Sequence, residues 1–247
     1  MLRQPRPLDI VERNGDAVAL AWPGTGSLFR AMHRIDLARD GCTRTLCHPG
    51  EAAYVVATGA AAIHGPDGEV TTTVEAPAVL YVPAQTPYVL ASGDGATIFG
   101  GPCPPDPALY ADSGSPVPPG GGAGEIQVFD PLREGLPIPM ISRQGRLVVW
   151  PGIGAEIATM VYVILEPGDE NDPHAHEESD DTIAILEGKG SVDNLSDGTT
   201  LEFEAGDVVF VRAGIRHKVK ADRDSRIVAA GGPCPPDYGM LRAIGAA

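Results

Sequence analysis

The sequence has no cluster of basic residues and no long apolar run. Its 247 residues include 18 Lys and Arg against 33 Asp and Glu, which gives a formal net charge of −15. Nucleic acids and anionic membrane surfaces are bound through clustered cations, so this composition argues against both partners. The longest apolar run falls short of the roughly eighteen residues of a membrane span, and the first residues lack the apolar segment of a signal peptide. We therefore expect a cytoplasmic protein.

Cysteine is also scarce. The four cysteines, Cys42, Cys47, Cys103 and Cys234, form no Cys-x-x-Cys pair and are too few for the disulfide framework of a small secreted domain. We expect them to be reduced thiols.

Glycine and proline, in contrast, are abundant. The 31 glycines and 24 prolines indicate many turns and few long helices. Between them lie short apolar runs rich in β-branched residues, which are typical of strands, and only a helical turn near 238–244 is expected. These observations predict an all-β protein. The clearest runs lie at 78–83, 158–165, 182–186, 207–212 and 226–230.

The chain contains an internal repeat with a period of about 130 residues. Residues 22–26 read Trp-Pro-Gly-Thr-Gly and residues 150–154 read Trp-Pro-Gly-Ile-Gly. Residues 100–106 and 231–237 both read Gly-Gly-Pro-Cys-Pro-Pro-Asp. Two copies of one fold are therefore expected.

The segment 113–124 separates the two copies. It consists mainly of Gly, Ser and Pro and has no apolar periodicity, which is typical of a linker. We accordingly predict an N-terminal barrel over 1–112 and a C-terminal barrel over 125–247.

Three histidines of the second copy have the spacing of a metal site. His174 and His176 are two residues apart, and side chains at that spacing on a strand project from the same face and can share one ion. His217 supplies a third imidazole after an alternating strand and a turn at Gly214. This pattern predicts a divalent-metal site.

Residues 168–188 and 206–221 resemble the two motifs of the cupin superfamily, G-x5-H-x-H-x3,4-E-x6-G and G-x5-P-x-G-x2-H-x3-N. Together with the repeat, the chain resembles a bicupin. The resemblance implies two tandem jelly-roll β-barrels and a site for Fe, Mn, Zn, Ni or Cu, among which we favour Fe(II) or Mn(II). It also implies three histidines and a carboxylate as ligands, namely His174, His176, His217 and Asp181.

The sequence departs from the cupin motifs at three positions. The carboxylate is Asp181 instead of glutamate. Asp180 would fit the gap of three or four residues after His176, but not the six-residue gap before Gly188. The shorter side chain leaves open whether Asp181 binds the ion directly, binds it through water or orients a histidine. Arg212 replaces the proline, and Ala221 replaces the asparagine. We expect Arg212 to point into the barrel and pair with a substrate carboxylate or with Asp181.

The first copy has lost the ligand set, so a single metal site is expected. Both repeated blocks persist in this copy, which favours a packing role for them and for their cysteines. Alignment by glycines gives the residues that replace the ligands. Cys47 or Thr45 takes the position of His174, and Pro49 or Cys47 takes that of His176. Ala52 takes the position of Asp181, and Tyr88 takes that of His217.

A cage of three histidines and one carboxylate leaves open positions on an octahedral ion, which favours catalysis over storage. We expect a mononuclear metalloenzyme that acts on an oxygenated or enolisable small molecule by dioxygenase-type oxidation. One alternative is an isomerase, lyase or hydrolase that uses the metal as a Lewis acid. Another is a non-catalytic protein that binds a metal or small ligand. The chain is compatible with a monomer or a homodimer.

Overall fold

A computed structural model of the chain describes residues 5–65, 68–111 and 124–246. The chain forms two compact units, Met1–Asp130 and Pro131–Ala247. Nearly all of the regular structure is β, which confirms the predicted fold class. No helix among the described residues has the length and apolar character needed to cross a membrane.

The N-terminal unit is one sheet in the order β1-β2-β3-β7-β4-β6-β9, with β5 paired to β4 and β8 paired to β3 and β4. Its core holds mostly aliphatic side chains that alternate along the strands. The strands are β1 (Arg6–Pro7), β2 (Val11–Ala21), β3 (Met32–Thr43), β4 (Glu51–His64), β5 (Val70–Glu75), β6 (Ala78–Val82), β7 (Val89–Ser92), β8 (Ala96–Cys103) and β9 (Gln127–Phe129).

The boundary between the units differs from the position expected from the sequence. Strand β9 lies after residue 125, yet it pairs with β6 and belongs to the N-terminal unit. Of the expected linker 113–124, only Gly124 is among the described residues.

The C-terminal unit has a six-stranded sheet, β10-β11-β12-β18-β13-β16, and a three-stranded sheet, β15-β14-β17. The core lies between these sheets, because strands of both contribute the buried side chains of one cluster. The elements are β10 (Leu136–Pro137), β11 (Arg146–Val149), β12 (Met160–Leu165), β13 (Asp180–Glu187), β14 (Lys189–Asn194), β15 (Thr199–Glu204), β16 (Val208–Val211), β17 (His217–Ala221), β18 (Ile227–Cys234) and the helix α1 (Tyr238–Ala243).

Strand β17 shows how the sequence pattern orients the core. His217, Val219 and Ala221 are buried, whereas Lys218 and Lys220 are only partly buried on the other face. This alternation turns His217 toward the inside of the barrel.

The repeated Trp-Pro-Gly-x-Gly block forms the same short 3-10 turn in both units. The turns are Pro23–Thr25 and Pro151–Ile153, and each follows a tryptophan. A Cβ on Gly24 or Gly152 would lie 2.2 Å from the indole ring of that tryptophan. Glycine is therefore required because the ring packs directly on the turn, which supports the packing role expected for this block.

The repeated Gly-Gly-Pro-Cys block ends the last long strand of each unit. Gly100 and Gly231 have φ angles of 142° and 147°, which side chains disfavour. A Cβ would lie 2.2 Å from the Ala53 carbonyl oxygen in the first unit and 1.8 Å from the Thr182 carbonyl oxygen in the second. Each glycine lets the last long strand of its unit lie close to its neighbour, β4 in the first unit and β13 in the second.

All four cysteines are free, as expected for reduced thiols, and all four are buried. Cys103 and Cys234 follow the repeated glycines and are almost fully buried. Their surroundings fit a small apolar side chain that fills the core.

Replacement of Gly231 by alanine is expected to destabilise the C-terminal unit strongly. Gly198 provides a matched control, because it also has a positive φ, 77°, but a Cβ added there would meet no atom within 4 Å. Gly198→Ala should cost about 1 kcal/mol for the left-handed backbone, and Gly231→Ala at least about 3 kcal/mol because a neighbouring strand must also move. Urea unfolding followed by circular dichroism compares the two, and equal losses would contradict this account of the block.

Candidate metal centre

Four side chains meet where a loop crosses the start of β17. His174 and His217 are paired through their backbones, with N to O distances of 3.1 and 2.8 Å. The His176 carbonyl oxygen accepts a hydrogen bond from the Gly214 N–H, and Asp181 is the second residue of β13. Backbone hydrogen bonds and the β13 ladder therefore fix all four positions that the cupin-like spacing selected.

The donor atoms of His174, His176, Asp181 and His217 all lie within 4.8 Å of one another. Asp181 Oδ2 is 3.8 Å from His176 Nε2 and 3.4 Å from His217 Nε2. Ligands on opposite sides of one ion are about 4 Å apart when each bond is about 2.1 Å long. The four side chains thus have the spread of a single coordination sphere.

Each imidazole has its Nδ1 atom on a fixed acceptor. His174 Nδ1 is 2.8 Å from the Asp172 carbonyl oxygen, and His217 Nδ1 is 3.0 Å from the Ile215 carbonyl oxygen. A carbonyl oxygen only accepts, so Nδ1 carries the proton in both rings and Nε2 keeps its lone pair. His176 Nδ1 is 2.6 Å from Asp237 Oδ2, which has the same effect. Such partners are typical of metal-ligating histidines.

Two buried atoms of the cluster have no hydrogen-bond partner among the described residues. They are His217 Nε2 and Asp181 Oδ1, and both residues are at most 5% exposed. Buried polar atoms without partners are costly, by roughly 1–3 kcal/mol each. An ion at the centre of the cluster would satisfy both, so the residues present fit a bound metal.

The electrostatics of the cluster favour a cation. Burial alone raises the pKa of Asp181, but the His217 imidazole and the two other rings lower it to about 2. Burial lowers the pKa of His174. For His217 burial acts in the same direction, yet the neighbouring Asp181 carboxylate outweighs it and raises the pKa. The ionised carboxylate therefore attracts positive charge, which a metal ion supplies without protonating a ligand.

Asp237 was not identified from the sequence. Its Oδ2 accepts the hydrogen bond from His176, and its Oδ1 accepts from the N–H groups of Gly239 and Met240 at the start of α1. The signal that could have found it is the repeated block, which ends in an aspartate in both copies. One carboxylate thus orients a candidate ligand and begins a helix.

Two cavities border the cluster and share His174 and His176 in their walls. The inner cavity has a volume of about 60 Å³ and is lined by Asp181, Asn171 and aliphatic side chains. The outer cavity has a volume of about 520 Å³, and Glu177 and Glu178 are among its lining residues. The cluster therefore borders a narrow apolar chamber and a wider cavity whose wall includes acidic side chains.

The structure does not bring Arg212 into the site. It is exposed in the turn after β16 and lines neither cavity. Asp180, which fits only one motif gap, accepts a hydrogen bond from the Ala213 N–H and helps to hold this turn. Arg212 therefore does not face the barrel interior, where the motif comparison had placed it.

The N-terminal unit repeats the framework of the site with different side chains. Leu46 and Tyr88 form the backbone bridge that His174 and His217 form in the second unit. His48 Nδ1 lies 3.1 Å from Asp106 Oδ2, as His176 Nδ1 does beside Asp237. Among the described residues, the C-terminal cluster is the one group with metal-binding geometry.

These pairings correct part of the alignment made by glycines. Leu46, and not Cys47 or Thr45, corresponds to His174, and His48, and not Pro49 or Cys47, corresponds to His176. The glycine alignment was shifted because the two loops differ in length. Ala52 lies opposite Pro102 as Asp181 lies opposite Pro233, so that assignment is confirmed.

Comparison with protein families supports the fold of the C-terminal unit. Residues 161–230 match a family described as the cupin domain, Cupin_2. This stretch contains all four residues of the cluster. A comparison with curated proteins gives no significant match.

Solved structures with the same fold cover nearly the whole chain. A point mutant of Bacillus subtilis oxalate decarboxylase has a TM-score of 0.68 at 16% identity, covering 92% of this chain and 74% of that chain. Vicilin from hazelnut, Corylus avellana, has a TM-score of 0.67 at 12% identity, covering 94% and 84%. At such identities the likeness concerns the fold.

Asp237→Asn is expected to weaken metal binding by 10-fold to 100-fold, the usual effect of losing such a partner. Asparagine can still accept the helix N–H groups through its oxygen, but its NH2 group can only donate toward His176 Nδ1. The imidazole proton must then move to Nε2, which removes the lone pair that binds the ion. Calorimetric titration with Mn(II) or Co(II) measures the change.

Asp106→Asn is the matched control for this substitution. It alters the same pair, histidine and helix-capping aspartate, in the unit that lacks the other candidate ligands. Metal affinity should be unchanged in this variant. An equal loss in both variants would show that the effect arises from global destabilisation.

Proposed function

We propose that the chain is a bicupin enzyme whose C-terminal barrel holds one divalent metal through His174, His176, Asp181 and His217. The observation that carries this proposal is the convergence of three Nε2 atoms whose Nδ1 atoms are all bound to fixed acceptors. The repeated backbone bridge in the N-terminal unit and the length of the structural matches support the two-barrel organisation.

The ligand set suits a first-row ion, and we favour Fe(II) or Mn(II). Three imidazoles and one carboxylate are compatible with several divalent metals, which differ in how well they bind such ligands. Mn(II) centres are named for oxalate decarboxylase, one of the proteins with the same fold. When bound, such an ion supplies Lewis acidity and the ability to exchange electrons with dioxygen.

We further propose dioxygenase-type oxidation of a small oxygenated molecule. Isomerisation or lysis at a Lewis acid requires a side chain that moves a proton. Among the described residues that line the inner cavity, the polar side chains are the candidate ligands and Asn171, and the amide of Asn171 does not titrate at neutral pH. Oxidation by dioxygen makes a smaller demand for proton transfer, so the lining of the inner cavity supports it. Proton transfer by Glu177 or Glu178, which line the outer cavity, would instead favour the non-redox alternatives.

This chain's own residues would position the reactants. His174 and His176 line both cavities, so a substrate bound in the wider, outer cavity would contact the cluster. Asp181 is buried and ionised, and it offsets the charge of the ion. The apolar walls exclude water from the inner side of the site, which strengthens the electrostatic interactions there.

One metal ion per chain is expected, and His217→Ala should abolish its tight binding. The control is His48→Ala, which removes the equivalent of His176 from the N-terminal unit and should leave the stoichiometry at one. Metal content after dialysis against a weak chelator, measured by elemental analysis, checks both variants. A second ion that is lost with His48→Ala would contradict the single-site proposal.

Turnover by the Fe(II)- or Mn(II)-loaded protein should consume dioxygen. We expect an oxygen electrode to record uptake with at least one member of a panel of small keto, hydroxy and enolic compounds, and no product in strict anaerobiosis. Product formation that continues without oxygen would favour the isomerase, lyase or hydrolase. Metal uptake without turnover of any panel member would favour the non-catalytic alternative.

A further inference from the structure

The inner cavity beside the candidate metal centre is almost entirely apolar. Its walls come from β12, β13, β17 and β18 of the C-terminal unit. With a volume of about 60 Å³ it has room for about four or five non-hydrogen atoms. The aliphatic side chains that form most of the wall are Val161, Val163, Leu165, Ile183, Val219 and Ile227.

Asn171 is the polar side chain of this cavity that is not a candidate ligand. Its backbone N–H donates to the Val219 carbonyl oxygen at 3.1 Å, and its Oδ1 accepts from the Val219 N–H at 2.9 Å. Because a backbone N–H can only donate, the atom that faces it must be the amide oxygen. This pair of hydrogen bonds fixes the orientation of the whole side chain.

The amide nitrogen of Asn171 is left for another partner. The residue is 7% exposed, and Nδ2 has no hydrogen-bond partner among the described residues. Nδ2 is not among the fully buried atoms that lack a partner, so it is open to a hydrogen bond from outside the protein chain. Asn171 lines the inner cavity, and a donor held in place beside a ligand-sized space is the arrangement that binding sites use to select an oxygen atom.

The inner cavity also lacks positive charge. None of the described residues that line it is a lysine or an arginine, and Arg212 lies outside. A small dicarboxylate bound there would leave one carboxylate without a cationic side chain, against an apolar wall. Burial of an unpaired charge is strongly unfavourable. A hydrocarbon group, in contrast, would gain from the same wall.

We propose that Asn171 is a specificity-determining residue that donates from Nδ2 to an oxygen of the substrate. We also propose that the substrate joins an oxygenated, metal-chelating head to a short hydrocarbon group and carries at most one negative charge. The head lies at the cluster of three histidines and Asp181, and the hydrocarbon group fills the inner cavity. This inference rests on the proposed metal site.

Aliphatic hydroxamic acids are suitable probes, because they are neutral in solution and chelate a metal through two oxygen atoms as a hydroxamate monoanion, with loss of one proton to solvent. The full chain is loaded with Co(II), and the dissociation constants of formo-, aceto-, propiono- and butyrohydroxamate are measured from the visible spectrum. Affinity should rise about threefold to fourfold for each added methylene until the cavity is full. Oxalate should bind more weakly than butyrohydroxamate.

Asn171→Asp tests the donor, because the carboxylate still accepts from the Val219 N–H but cannot donate from the position of Nδ2. Asn171→Leu removes the donor without adding charge. Both variants should weaken hydroxamate binding at least tenfold. Asn14→Asp makes the same amide-to-carboxylate change in the N-terminal unit, on an exposed residue, and should have no effect.

The outcomes separate this inference from the proposed function. Failure of the wild-type chain to bind Co(II) would overturn both. If Co(II) binds but affinity is independent of chain length, or oxalate binds best, the metal site stands and the proposed substrate class is wrong. Wild-type hydroxamate affinity in a folded Asn171→Leu variant, verified by its melting temperature, would overturn the role of Asn171.

Discussion

The hydrogen bond between His176 Nδ1 and Asp237 is the interaction on which the candidate metal centre depends. It fixes the tautomer of a ring that lies in the walls of both cavities, and so it determines which nitrogen faces the cluster. The other oxygen of the same carboxylate begins α1, and Met240 of that helix also lines the inner cavity. The Asp237 side chain therefore orients a candidate ligand, begins a helix and positions part of the cavity wall.

The duplication shows which parts of this arrangement are architectural. In the N-terminal unit Asp106 holds His48 and accepts from the Ala108 N–H at the start of a 3-10 turn. The other ligand positions hold Leu46, Ala52 and Tyr88, and the Tyr88 hydroxyl lies 2.6 Å from that of Tyr54. The histidine and its aspartate thus persist where the other candidate ligands are absent, because the aspartate also serves the local backbone.

Much of the fold and the core of the site were predictable from the sequence. Short apolar runs indicated strands, and the spacing of His174, His176 and His217 brought together side chains that the structure places in one cluster. Asp237 was missed because it lies 61 residues from His176, and no local spacing rule connects them. Arg212 was misplaced because a motif position does not determine which way a turn residue points. The role proposed for Asn171 depends on its pairing with Val219, which the sequence does not reveal.

The shared carboxylate of Asp237 also has a thermodynamic consequence. Ion occupancy favours the ring orientation that Asp237 stabilises, and an ordered α1 holds Asp237 in place, so the two equilibria are linked. Such linkage is reciprocal. The free energy by which a bound ion stabilises the ordered helix equals the free energy of ion binding that is lost when the helix is disordered. The amides of Gly239 and Met240 would then exchange with solvent more slowly in the loaded protein, and would report on an ion that they do not touch.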